Sequence, residues 1–207
     1  MFEIKQRRTG KVLARIKAET LVRRRLEGVK LPNADLSGLD LSGSSLRNSD
    51  LRGVDLTGAT LTGCSFHTAN LSSAVLDNAE LEGADFTDAV LTETRFRGAN
   101  LKGALFRYAN LSGADLTDAQ LSGADISAVD GTNANLTGAD LTNADLRSSD
   151  FSNADLTRAT LVGTDLTNTT LMCAKLMQAR IEKTIGRAPG RARTTSKSDQ
   201  QWWRFWG

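Results

Sequence analysis

One histidine and two cysteines in 207 residues leave most site chemistries without their side chains. A histidine-based metal cluster needs more than His67, and no cysteine pair lies near it to supply sulfur ligands. Cys64 and Cys173 stand far apart in the chain and make no disulfide framework, which fits a reducing compartment, the cytoplasm. Phosphate loop, nucleophile elbow and dinucleotide fingerprint are all missing. No run approaches the roughly 20 apolar residues that cross a bilayer. MFEIKQRRTG is charged where a secretory leader would have its apolar core, so none is expected. Aspartate is the one abundant acid–base group, and its regular spacing gives it a structural origin. These absences argue against an enzyme and leave no expected metal or cofactor.

What is present is a period of five. ANLSGADLTDAQLSGADI, residues 109–126, has Leu or Ile at 111, 116, 121 and 126, and Ala at 109, 114, 119 and 124. A strand alternates every two residues and a helix every 3.6, so neither accounts for it. Stepping by five from Leu36 to Ile181 gives thirty positions, of which all but Gly131 hold Leu, Phe or Ile. Two residues before each centre, Ala fills twenty of the thirty positions. Two residues after it, Gly or Asn fills eighteen, and both tolerate the positive φ that a tight turn demands. Each unit is therefore a short extended piece followed by a corner, with the large and the small apolar residue on the inner side.

The ADLSG- and ANLSG-type units over residues 31–181 resemble the pentapeptide-repeat family. That resemblance implies an all-β fold, a right-handed quadrilateral β-helix with four units, twenty residues, per coil. On that count Phe66, Phe86 and Phe106 fall one above another in the interior. Gly131 leaves its column empty between Leu111 and Phe151. Either Phe151 leans into the vacancy or the rod kinks, and a local bend or bulge is expected at SAVDGTN.

Charge divides the chain in three. Residues 1–30 are net +7, residues 31–181 net −9 and residues 182–207 net +4. Residues 1–30 are expected to form an N-terminal cap on the coils of 31–185. FEIKQRRTGKVLARI reads as a hairpin turning at Gly10, and AETLVRRRLEG as a short helix ending at Gly28. Arg23, Arg24 and Arg25 would then project from the cap as a solvated face, a phosphate or anionic-lipid patch, or partners for the rod's acids. From residue 186, GRAPGRARTTSKSDQQ reads as a flexible basic linker. It leads to WWRFWG, where Trp202, Trp203, Phe205 and Trp206 have three competing uses. They cap the last coil, dock in a protein partner as a short motif, or lie in a membrane interface.

Two functions follow. The preferred one is a rigid interaction scaffold that binds a protein partner through its walls and its aromatic tail. The alternative rests on the resemblance, because some family members mimic duplex DNA and occupy the DNA saddle of type II topoisomerases such as gyrase. Asp125, Asp145 and Asp165, one coil apart on one wall, would supply an anionic strip. Direct nucleic-acid binding by the acidic rod itself is disfavoured.

Overall fold

The protein is described by a computed structural model covering residues 1–186. The chain winds into a right-handed β-helix. Parallel bridges join each residue before a centre to the residue twenty further on, from Arg25 with Ser45 to Asp165 with Ile185. A coil is thus twenty residues in four units. Residues 21–185 make about eight coils, a rod of roughly 40 Å at the spacing between strands. The centres form four walls: Leu41, Leu61 and Leu81 on the first, Leu46, Phe66 and Phe86 on the second, Leu51, Leu71 and Leu91 on the third, and Leu56, Leu76 and Phe96 on the fourth.

The unit Leu56–Thr60 shows why five residues close a corner. Leu56 N–H donates to the Val75 carbonyl and Gly58 N–H to the Asp77 carbonyl, on the next coil. Ala59 N–H donates to the Leu56 carbonyl within the unit, and Thr60 N–H to the Leu39 carbonyl on the coil before. Thr57 N–H is left, and the carboxylate of Asp55 accepts it at 3.0 Å. Every backbone donor of the unit is satisfied, as buried backbone requires. The bond from the fourth residue to the first, with positive φ only at the third, is the type II turn. Every fifth residue from Arg23 to Lys183 has φ between 52° and 71°, which explains the Gly and Asn column.

Inside, Leu and Phe fill the axis. Phe66 and Phe86 stack with centroids 4.9 Å apart, and Phe86 and Phe106 with centroids 5.0 Å apart. Phe96 comes across from the opposite wall to meet both rings edge-on, at 5.7 and 6.2 Å. Where the small column holds Ser, Thr or Cys, the side chain donates to a carbonyl one coil away. Ser44 reaches Leu21, Cys64 reaches Leu41 and Thr94 reaches Leu71. Burial pushes the Cys64 thiol up to about 11, so it is an inert space-filler, whereas Cys173 is exposed.

At the N-terminal end, β1 (Phe2–Gln6) and β2 (Val12–Ile16) form an antiparallel hairpin. β1 also pairs with β3 (Ala34–Asp35) on the first coil, with Lys5 opposite Asp35 and Gln6 opposite Ala34. Arg7 clamps this edge through an ion pair of 3.1 Å to the buried Asp55. Near the other end, β4 (Thr160–Val162) and β5 (Arg180–Glu182) are parallel, one coil apart.

The helix expected over AETLVRRRLEG is absent. Leu21, Leu26 and Leu31 are buried centres that carry the period of five ten residues further toward the N-terminus. At 3.6 residues per turn, Leu21 and Leu26 would lie about 140° apart on a helix and could not share a face. Arg23 and Gly28 take the positive-φ corners of this first coil. The cap is therefore the hairpin alone.

The bend expected at SAVDGTN is also absent. The ladder runs on through Gly131, whose N–H donates to the Asp150 carbonyl at 2.7 Å. At Val129 the turn opens to admit a hydroxyl, as it does at Arg24, where Ser44 Oγ enters, whereas Val54, also in the small column, keeps its turn closed. Val129 N–H donates to Ser149 Oγ at 3.0 Å, and that hydroxyl donates to the Ile126 carbonyl at 2.6 Å.

Candidate interaction surface

Outward side chains before each centre do structural work first. Asp40 accepts both the N–H and the hydroxyl of Ser42, at 2.9 and 2.5 Å, and Asp35 does the same for Ser37. These bonds, the hydroxyl's above all, hold both carboxyls below the ordinary carboxylate value. The Arg52 guanidinium holds Asp50 low in the same way. A carboxyl lowered in the folded state stabilises the fold above its unfolded value and loses that contribution as pH falls through the folded one. The melting temperature is therefore expected to stay level from pH 8 to 5 and to drop below about pH 4. Asp40→Asn keeps a neutral acceptor and should melt between the wild type and Asp40→Ala at pH 7, with Asp40→Ala the lowest. Equal losses in both would show that charge, not the turn acceptor, matters.

Bridges place Asp125, Asp145 and Asp165 one coil apart on the second wall. They do not form a bare anionic strip. Arg107 Nη2 lies 2.7 Å from Asp125, while Arg147 lies 2.6 Å from Asp145 and 3.8 Å from Asp165. The Arg147 guanidinium holds the Asp145 carboxyl low. Burial pushes Asp125 up, but bonds from Ser127 and Arg107 outweigh it and the net direction is down. Arg107 and Arg147 interrupt the acids along this wall, which run from Asp85 and Asp88 through Asp125 and Asp145 to Asp165. His67, half-buried on the same wall, turns Nδ1 to the Thr87 carbonyl at 2.8 Å.

The same wall carries a feature that the aspartate pattern did not reveal. Leu105 and Tyr108 flank Arg107 and are 43% and 62% exposed. Below them runs an open groove of about 450 Å³, lined by Tyr108, Ser127, Ala128, Arg147, Ser148 and Asn168, among others. Tyr108 is the one aromatic residue among 1–186 with positive φ, 62°. The signal was in the sequence: LFRYA is a unit with Leu where Asp or Asn is common and Tyr where Gly or Asn is common.

Arg23, Arg24 and Arg25 are exposed on the first coil, away from this groove. Arg25 comes within 4.0 Å of Glu27, and Arg24 Nε donates to the Thr20 carbonyl. Trp202, Trp203, Phe205 and Trp206 lie outside the described residues. Among the described residues no group of His, Cys, Asp and Glu is placed to hold a metal ion, and no helix is long and apolar enough to cross a membrane.

A continuous β-helix of five-residue units with no departure in phase defines a repeat solenoid. The pentapeptide-repeat family model matches in overlapping copies between residues 25 and 185, so the chain belongs to the pentapeptide-repeat family. HetL of Nostoc sp. strain PCC 7120, a pentapeptide-repeat protein involved in regulating heterocyst differentiation, is 30% identical. The match covers 82% of this chain and 87% of HetL, with a TM-score of 0.53. Trypsin-treated QnrB1, a plasmid-mediated fluoroquinolone resistance protein, is 20% identical over 90% of this chain and 98% of its own, with a TM-score of 0.56. The QnrB1 likeness is one of fold. No curated protein sequence matches.

Proposed function

We propose that this pentapeptide-repeat rod is a non-enzymatic interaction scaffold, and that it binds a protein partner on its second wall around Leu105, Arg107 and Tyr108. The observation that carries this reading is Tyr108. A bulky residue at positive φ costs about 1–2 kcal/mol, and an exposed ring buries little to offset it. The coil before places Asp88 at the same corner and the two coils after place Ala128 and Ser148, all smaller than Tyr. Strain and exposed aromatic surface together are what an interface anchor looks like before its partner arrives. Arg107 beside it is pre-oriented by Asp125.

The test separates stability from binding. Tyr108→Gly is expected to raise stability by up to about 1 kcal/mol, because glycine takes this φ freely. The same change, with Leu105→Asn, should abolish capture of the partner that wild type retains in cross-linking and co-purification. Retained capture would move the site elsewhere. A parallel deletion of residues 187–207 asks whether Trp202, Trp203, Phe205 and Trp206 supply a second contact.

The second reading, a DNA mimic acting on a type II topoisomerase, is supported by the register of Asp125, Asp145 and Asp165. The ion pairs of Arg107 and Arg147 count against it, since a phosphate mimic needs uncompensated charge. A gyrase supercoiling assay decides: inhibition by wild type that disappears in the Asp125/Asp145/Asp165→Asn variant would reverse the order of the two.

A further inference from the structure

We propose that the N-terminal end of the rod is a docking face for an anionic membrane surface, met end-on. Along the rod most cations are consumed internally. Arg52, Arg95, Arg97, Arg107, Arg147, Lys175 and Arg180 each lie within 4.0 Å of a carboxylate. Arg8, Lys11, Lys17, Arg23 and Lys30 are all exposed, and none makes such an ion pair, while the exposed Arg25 reaches Glu27 only at the 4.0 Å limit. They come from three segments, the hairpin turn, the link after β2 and the first coil. Pairing of β1 with β3 gathers these segments at one end. Lys30 faces Asp50 on the next coil and its charge helps hold that carboxyl low, but the mutual repulsion of Arg8, Lys11, Lys17 and Arg23 brings the fold no visible return. Arg23 even occupies a left-handed corner, φ 52°, where Gly43 and Gly63 stand in the coils above it.

The charge layout selects the shape of the partner. Residues 31–186 carry eleven Lys or Arg against twenty Asp or Glu, with acids on all four walls. A polyanion lying alongside the rod, such as a duplex, would meet those acids. A flat surface touching only the end meets residues 1–30, with ten Lys or Arg against three acids. Most of the acidic coils then stand further off than a Debye length, about 10 Å at 0.1 M salt. A lipid headgroup layer has that flatness and that charge. Each Lys or Arg held near such a surface is worth roughly fivefold in partitioning.

The test uses the full chain, so that the basic tail is present throughout. Arg23→Asn, Arg25→Ser and Lys30→Asn replace each cation by a residue that a later coil carries in the same column, as Asn143, Ser45 and Asn70 do. Melting should therefore not change, which circular dichroism checks. Wild type is expected to co-sediment with equimolar phosphatidylglycerol/phosphatidylcholine vesicles, to be released by salt, and to ignore pure phosphatidylcholine. The triple variant should partition about two orders of magnitude more weakly. Wild-type binding to neither vesicle, equal binding to both, or undiminished binding of the triple variant would each overturn the proposal. So would a short duplex DNA that binds wild type more tightly than the vesicles do.

Discussion

Replacing Phe86 with alanine is expected to destabilise the rod by about 3–5 kcal/mol, the range for deleting a buried aromatic side chain. Phe86 is fully buried and sits between Phe66 and Phe106 in the stack, with Phe96 against its edge. Alanine would remove contacts with all three rings. The coils above and below are held in register by backbone ladders, so they cannot close the cavity. Phe86→Leu, the residue most units carry, should recover much of the loss. The outward neighbour Asp85 is the contrast. Its Oδ1 accepts Thr87 N–H at 3.0 Å, so Asp85→Ala should cost up to about 1 kcal/mol and Asp85→Asn almost nothing. Pointing outward alone would have implied an effect under about 0.5 kcal/mol, and the turn bond is the difference. Urea denaturation of the variants checks the ranking. Equal losses at 85 and 86 would mean that the inner and outer columns are misassigned.

The interior of this molecule was legible in its sequence because one physical constraint repeats without interruption. A large apolar residue every five positions, a small one two places earlier and a corner residue two places later set the inner and outer columns. The count of four units per coil came from the resemblance to the pentapeptide-repeat family, and the stacked phenylalanines follow from counting twenty. Local reading failed where the spacing competed with a shorter pattern. In LVRRRLEG the adjacent apolar residues Leu21 and Val22 and the terminal Gly28 read as a helix with its stop. The five-residue step from Leu21 to Leu31 was the stronger constraint, because only that step lets the segment add a coil and bury its leucines.

The candidate site was less legible because its residues are exceptions to the repeat. Asp125, Asp145 and Asp165 stood out by their regularity, yet regular aspartates are what the turns require for the N–H two residues on. Their charge is then partly cancelled by Arg107 and Arg147, whose reach across coils no linear spacing shows. Leu105 and Tyr108 break the pattern at positions where a break brings the fold nothing. In a repeat protein such departures are the informative signal, and they must be weighed against the column they interrupt.

Gly131 is the departure that the fold itself explains, and it predicts a rescue. Unlike the corner glycines it has no positive φ, so glycine is required there for space and not for backbone freedom. A Cβ at this position would lie 2.3 Å from Phe151 Cε1 and 2.5 Å from Cδ1, because the Phe151 ring occupies the volume of both positions. Gly131→Leu alone is expected to overpack the third wall and cost about 1–3 kcal/mol or more. Phe151→Leu alone should leave an unfilled space beside Gly131 and also lose stability, by roughly 1–3 kcal/mol. The double variant places leucine on leucine, as Leu71, Leu91 and Leu111 do in the same column. It should therefore melt well above either single variant, with a coupling of about 0.5–3 kcal/mol between two residues in contact. Additive losses in a double-mutant cycle would show that the ring does not fill the vacancy and that the glycine serves some other end.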